Sequence, residues 1–391
     1  MPAASTARPS RRVAPRHSLG GTYVKLQRHG LVAGLVAGML ALSACGSDNT
    51  DNNAGGGDSS GGASADCGSG TLSWDGSSAQ KTAVTEWVKQ YQGKCSGASI
   101  NYQGAGSGSG RTAFYSGQIP VAGSDSSIKS EDQGKADARC SGGKAVNLPM
   151  VLTPVEFIYN LSGVSDLTLT PSILAKVFSG KITNWNDAEI AAANKGASLP
   201  DKSITAVHRS KDSGTTENFT KFLDAQAKDV WTYGSGQAWK APGGQGAADS
   251  SALVQSVKST DGGIGYVDGP DAKKNSLTPA KLDVGAGAVA PTTDTVGKAI
   301  SAAKVEGDNQ DVKLSIDYGL KDAGTYPAIL ATYELTCTKG LSADQSKFVK
   351  SFLTYTASAE GQGVLEALGY SPLPDELATK VRSAVDALSA T

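Results

Sequence analysis

Apolar residues fall along this chain in two kinds of run. Short continuous or alternating runs have the length and β-branched content of strands: Ala98–Tyr102, Pro120–Ser127, Ile204–Val207 and Gly262–Asp268. Two longer extended runs, Val146–Leu161 and Thr325–Thr338, stand apart. Between them, apolar residues recur at helical spacing. Val84, Trp87, Val88 and Tyr91 predict a helix over 78–92, with Ser77 and Ser78 as capping hydroxyls. Ile173, Leu174, Val177 and Phe178 predict one over 172–179, followed by another over 188–194. Phe219, Phe222 and Leu223 share one helical face just after a polar turn. Two helices close the chain, over 344–360 and 374–388, the second carrying Leu377, Val381, Val385 and Leu388 on one stripe. Cys67–Leu72 reads as a strand entering a loop over 73–77. Residues 284–309 are Ala/Gly-rich and poorly readable, with a helix from Thr295. Strands alternating with helices give an α/β protein with mostly parallel sheets.

The first 66 residues follow another logic. Residues 1–45 carry six of the 36 Lys/Arg and none of the 37 Asp/Glu. A basic region, the short apolar run Leu31–Leu42 and a small-residue site make residues 1–44 a signal peptide. Leu42-Ser-Ala-Cys45 resembles a bacterial lipobox, which implies cleavage before Cys45 and a lipid on its sulfur. Residues 45–66 continue as Gly, Ser, Asn and Asp without a large apolar group, a composition for a flexible tether. The remainder has 30 Lys/Arg against 37 Asp/Glu, near −7. That balance argues against nucleic-acid binding, and an anion would have to be attracted by local donors.

Four cysteines follow Cys45, an even number that suggests two disulfides in an exported chain. Three pairings are possible. Cys67–Cys95 with Cys140–Cys337 is favoured, because the first pair would staple a strand start to a nearby helix end. No CxxC pair or phosphate-binding G-x-x-x-x-G-K-[ST] loop occurs, and only His208 remains beyond residue 45. No metal or other cofactor is expected.

The candidate chemistry lies in loops that follow strands. Arg209, Ser213, Gly214 and Thr215 stand between the strand ending at Val207 and the helix of Phe219. Such a turn offers hydroxyls, free backbone N–H groups and the positive end of a helix dipole, and arginine adds a two-pronged donor. An ordinary capped helix beside a surface arginine would read the same. Ser78, Ser107 in the Gly-rich stretch 104–110, and Asp125 between serines occupy equivalent places. In parallel sheets these loops converge at the strands' carboxyl ends.

Taken together, the loops resemble the phosphate-binding proteins of bacterial ABC-type phosphate uptake systems, the PstS family. The matching pieces are Tyr102-Gln-Gly-Ala-Gly-Ser107, Gly123-Ser-Asp125, Val177-Phe-Ser-Gly-Lys-Ile-Thr-Asn-Trp185, Val207-His-Arg-Ser-Lys-Asp-Ser-Gly-Thr215, Gly263-Ile-Gly-Tyr-Val267, and Leu373-Pro-Asp375 with Val381-Arg382. They run in family order from Cys67 to the end.

The resemblance implies a two-lobed Venus-flytrap fold of the periplasmic-binding-protein type. Each lobe would be a mixed or mostly parallel sheet flanked by helices, joined by two extended hinges. One lobe would comprise 67–157 with 330–391, the other 158–329. It implies a phosphate site made of Ser78, Ala79 (through its N–H), Ser107, Asp125, Arg209, Ser213, Gly214 and Thr215. Lys211 stands where many members have an Asp that pairs with the arginine, and Asp212 could supply that carboxylate after a small loop adjustment. Asp125 would accept a hydrogen bond from a P–OH, which sulfate cannot offer. Eight to ten such bonds, less the cost of closure, would leave about −8 kcal/mol, a micromolar site. The implied protein is a monomeric, non-enzymatic lipoprotein on the outer face of the cell membrane that passes phosphate to permease subunits. A sensor or adhesion lipoprotein, or a phosphoryl-transfer enzyme using the same cradle, is the alternative.

Overall fold

The computed structural model describes residues 67–308 and 310–389. The expected signal peptide, Cys45 and the tether lie outside them. Eight strands form one mixed sheet: β1 (Gly70–Gly76), β2 (Ala98–Tyr102), β3 (Val121–Ser124), β4 (Ala145–Asn160), β5 (Thr205–Arg209), β6 (Gln245–Ala247), β7 (Gly263–Asp268) and β8 (Ile329–Cys337). Their order is β2-β1-β3-β8-β4-β7-β5-β6. On one side β1 is parallel to β2 and β3, and β8 runs antiparallel to β3 and β4. On the other, β5 is parallel to β6 and β7, and β7 is antiparallel to β4.

The sixteen-residue β4 belongs to both sides. Up to Pro154 it pairs with β8, and from Val155 it pairs with β7. It is buried along nearly its whole length, which explains an apolar run without alternation. Its register against β8 slips at Thr332/Tyr333, leaving Met150 unpaired beside Pro149. Proline has no N–H for a ladder, so a bulge there is expected.

Helices cover the sheet: α1 (Lys81–Lys94), α2 (Ser107–Tyr115), α3 (Gly214–Gln226), α4 (Ser250–Ser259), α5 (Ala343–Ala357) and α6 (Asp375–Asp386), with others between. Phe219 anchors α3 by packing on Tyr266, Phe178 and Phe157 with ring centres 4.6, 5.0 and 5.3 Å apart. Trp74 of β1 meets Tyr102 of β2 at 4.7 Å and Phe352 of α5 at 5.5 Å. Aromatic clusters of this kind fix the strand ends and helix starts that carry polar loops. Both favoured disulfides are present, Cys67–Cys95 and Cys140–Cys337, with Cα atoms 5.5 and 5.4 Å apart. Each is worth about 3–5 kcal/mol through the entropy of the unfolded chain.

Several boundaries differ from the sequence reading. β1 continues through the expected loop, because Leu72 and Trp74 face the core while Ser73 and Asp75 alternate outward. The α1 helix starts at Lys81 with Gln80 as N-cap and no side-chain cap, so Ser77 and Ser78 do not cap it. The α2 helix begins inside the Gly-rich stretch. Gly110 is needed there: a Cβ on it would lie 2.6 Å from Gly76 Cα. The long helix expected over 344–360 stops at Ala357, and Ser358 caps a separate turn over Ala359–Gly363. The helix Ser130–Arg139 and the short β6 have no legible apolar period, and α4, with Leu253, Val254 and Val257 on one face, is a further element that the sequence reading did not include.

Glu334 of β8 is fully buried, and neither carboxyl oxygen has a hydrogen-bond partner of good geometry. Burial pushes its carboxyl from 4.5 to about 8, with Gln80 and Trp74 opposing. The folded state therefore holds a proton that the unfolded state releases. The associated stability is full below the unfolded value and is lost as pH rises towards about 8. Replacement of Glu334 by Gln is expected to raise the melting temperature above wild type at pH of about 8, and to change it little at pH of about 5. Thermal melts at both values check this; a difference independent of pH contradicts it.

Candidate anion-binding site

The carboxyl ends of β1, β2, β3, β5 and β6 meet at one place, as expected where parallel strands hand over to helices. Beyond β1 come Ser77, Ser78 and Ala79; beyond β2, Ser107 opens α2; beyond β3 stands Asp125. The β5 strand ends on Arg209, and β6 leads through Ala248 and Asp249 to Ser250, which opens α4. The structure thus brings all eight predicted residues into one buried neighbourhood.

Arg209 is 2% exposed. Its Nη1 donates to Ser78 Oγ and Ser213 Oγ, each at 3.0 Å, and its Nη2 to the Ala248 carbonyl at 3.4 Å. Those partners are all neutral, and Nε has none. Burial lowers the guanidinium's pKa, opposed by Tyr266, Asp249, Asp125 and Asp268. The expected pairing with Asp212 is not seen. Lys211 and Asp212 are exposed, and Asp212 sits over α2, where a Cβ on Gly108 would be 2.5 Å from its own Cβ. The loop turns Asp212 outward, and hydroxyls take over the orientation of the arginine.

Ser213 caps α3 by accepting from the N–H of Thr216 at 3.3 Å. This leaves the N–H groups of Gly214 and Thr215 outside the helix's own bonds, at its positive end. Thr215 is buried with its Oγ1 unpartnered. Facing this turn, Asp125 is buried and held from several sides. Thr332 Oγ1 donates to its Oδ1 at 2.7 Å, Ser107 Oγ to its Oδ2 at 3.2 Å, and its own N–H donates to Ser107 Oγ at 3.1 Å. Burial pushes the Asp125 carboxyl up; hydrogen bonds from Ser77, Thr332 and Ser107 and the charge of Arg209 hold the rise down. Ala79 is buried, with its N–H donated to Ser77 Oγ at 3.0 Å.

Gly214 has a positional requirement. A Cβ there would lie 2.5 Å from Asp125 Cβ. Asn218, one turn along α3, joins the two sides by donating to the carbonyls of Asp125 at 2.7 Å and Gly214 at 2.8 Å.

Sequence reasoning missed several contributors. Ser250 lies 2.9 Å from Ser78 Oγ, and Asp249-Ser250 is a legible cap signal. Tyr266 accepts the Arg209 N–H at 3.1 Å and bonds Thr216 Oγ1 at 2.6 Å. Thr332 gave no signal, being one polar residue in a buried strand.

The arrangement supplies one full positive charge, hydroxyls and two helix N–H groups on one side of a buried carboxylate. It suits a small oxyanion that carries a proton. His208 is turned away, stacked on Trp239 at 4.8 Å.

Residues 61–360 match the family model described as the PBP superfamily domain. The phosphate-binding protein PstS3 of Mycobacterium bovis BCG is 40% identical over 374 residues, covering 94% of this chain and all of the relative. The chain belongs to the PstS family. PstS 2 of Mycobacterium tuberculosis H37Rv is 36% identical over 373 residues, with 94% of this chain and 100% of the relative covered. Among solved structures, a high-affinity periplasmic phosphate-binding protein bound with phosphate, PfluDING, superposes with a TM-score of 0.65. It is 23% identical, with 80% of this chain and 93% of that chain covered. This likeness fixes the periplasmic-binding-protein fold for this PstS-family chain.

Replacement of Gly214 by Ala should leave α3 folded, since alanine suits a helix's first turn, yet push Asp125 away. We expect phosphate affinity to fall at least about tenfold, or about 1.4 kcal/mol. Titration calorimetry checks it; affinity equal to wild type contradicts the close approach.

Proposed function

We propose that this protein captures inorganic phosphate between two closing lobes outside the cytoplasm and passes it to the permease of an ABC transporter. The lobes are 67–157 with 330–391, and 158–329, hinged where β4 changes partner and where the chain re-enters the sheet at β8. The observation that carries the reading is a buried arginine with only neutral partners opposite a buried, multiply hydrogen-bonded aspartate. An unneutralised buried charge costs several kcal/mol, so the cradle gains most from an anionic occupant. The aspartate selects among anions. Phosphate keeps a proton at neutral pH and donates it to Asp125; sulfate presents only lone pairs to that carboxylate.

Family membership supports delivery to a transporter over a sensing or adhesive role. Cys45 would carry the lipid that holds the protein at the membrane's outer face, with residues 46–66 as its tether. No described helix is long and apolar enough to cross a membrane. The protein works as a monomer and without catalysis; release of phosphate from p-nitrophenyl phosphate would instead favour a phosphoryl-transfer enzyme.

Calorimetric titration of residues 46–391, stripped of carried-over ligand, tests the proposal. We expect micromolar or tighter phosphate binding and no heat from sulfate. Asp125→Asn should bring the two anions closer by about tenfold or more, because the amide N–H can donate to either. No phosphate binding by wild type overturns the function, and unchanged discrimination in the variant overturns the role of Asp125.

A further inference from the structure

Two consecutive residues of α3 reach across the cleft without belonging to the proposed ligand set. Glu217 Oε2 lies 3.5 Å from Nη2 of Arg111 on α2, with side chains only 2% and 7% exposed. Each partner is already oriented by its own lobe. Arg111 donates Nε to Ser124 Oγ at 2.8 Å and Nη2 to the Ser126 carbonyl at 3.1 Å. Glu217 receives Lys221, one turn along the same helix, at 3.1 Å. Burial pushes Glu217 up, but Lys221 and Arg111 bring it below the usual carboxylate range, so it stays ionised. The next residue, Asn218, binds the Asp125 carbonyl, and its Oδ1 accepts from the Tyr318 hydroxyl.

We propose that Arg111 and Glu217 form a clasp across the cleft that favours closure whether or not phosphate is present. The inference rests on the phosphate-binding reading above. Both charges keep a partner and regain water when the lobes part, so the clasp can open. Both are pre-oriented, so little side-chain freedom is lost when it forms. Arg111 and Glu217 are therefore positioning residues. They act through the closed fraction of the free protein, which divides the intrinsic dissociation constant. That factor is the same for every ligand that needs the closed form. A residue touching the anion would instead change one ligand's affinity relative to another's.

The test compares wild type with Glu217→Gln and Arg111→Met, using small-angle scattering of stripped protein and calorimetry with phosphate and with arsenate. Without ligand, each variant should have a larger radius of gyration than wild type, and saturating phosphate should remove the difference. Both dissociation constants should rise by one shared factor of about ten, leaving their ratio unchanged. The double variant should be little worse than either single one, because the two charges act as a unit. An unchanged radius of gyration in both folded variants, or a changed phosphate-to-arsenate ratio, overturns the clasp. Should wild type bind no phosphate, the functional proposal fails by itself, and the scattering comparison still decides whether the clasp exists.

Discussion

The site depends on a positive charge held out of water without a carboxylate partner. Arg209 is fixed by two serine hydroxyls and a carbonyl, all neutral. Hydroxyl and carbonyl dipoles orient the guanidinium without cancelling its charge, and burial keeps water from screening it. The surrounding order follows from that requirement. Tyr266 pins the Arg209 backbone, Ser213 serves both the arginine and the helix cap, and Ser250 backs Ser78. An arginine paired with Asp212 would present a weaker field to an incoming anion. The outward turn of that loop thus leaves the guanidinium charge uncancelled by Asp212.

Opposite the arginine stands Asp125, the residue we propose makes the cradle selective. A carboxylate beside an anion site is unfavourable unless the anion can donate to it. Thr332 and Ser107 hold the aspartate in place through its two carboxyl oxygens. Gly214 lets the helix N-terminus come against it, and Asn218 ties the backbones together. In the proposed function, two charged residues of opposite sign, separated by a side chain that must be absent, would give both attraction and discrimination.

The fold was largely legible because both long apolar runs lack alternation, which marks strands buried on two faces. They became β4 and β8, the strands at the centre of the sheet. The loops after β1, β2, β3 and β5 could be ranked by polar residues following strands, and the structure gathers them. Three things stayed hidden. The α1 cap was misplaced because Ser77 and Ser78 serve the site and α1 starts later. Thr332 was hidden because position within a register, and not residue type, brings it to Asp125. The α4 helix, with Ser250 at its start, was overlooked although Asp249 caps it and Leu253, Val254 and Val257 share one face. The Arg111–Glu217 pair shows the same limit, since only the fold places two ordinary charged residues, 106 positions apart, within reach of each other.

The central claim is that one oxyanion sits between Arg209, the Gly214–Thr215 turn and Asp125. A crystal structure grown with arsenate, which shares phosphate's shape and protonation, tests it most directly through arsenic's anomalous scattering. The account predicts a single strong peak within hydrogen-bonding reach of the Arg209 guanidinium and the Thr215 hydroxyl, with one arsenate oxygen against the Asp125 carboxylate. A peak elsewhere, or an occupied site in which Asp125 has swung away from the anion, would contradict it.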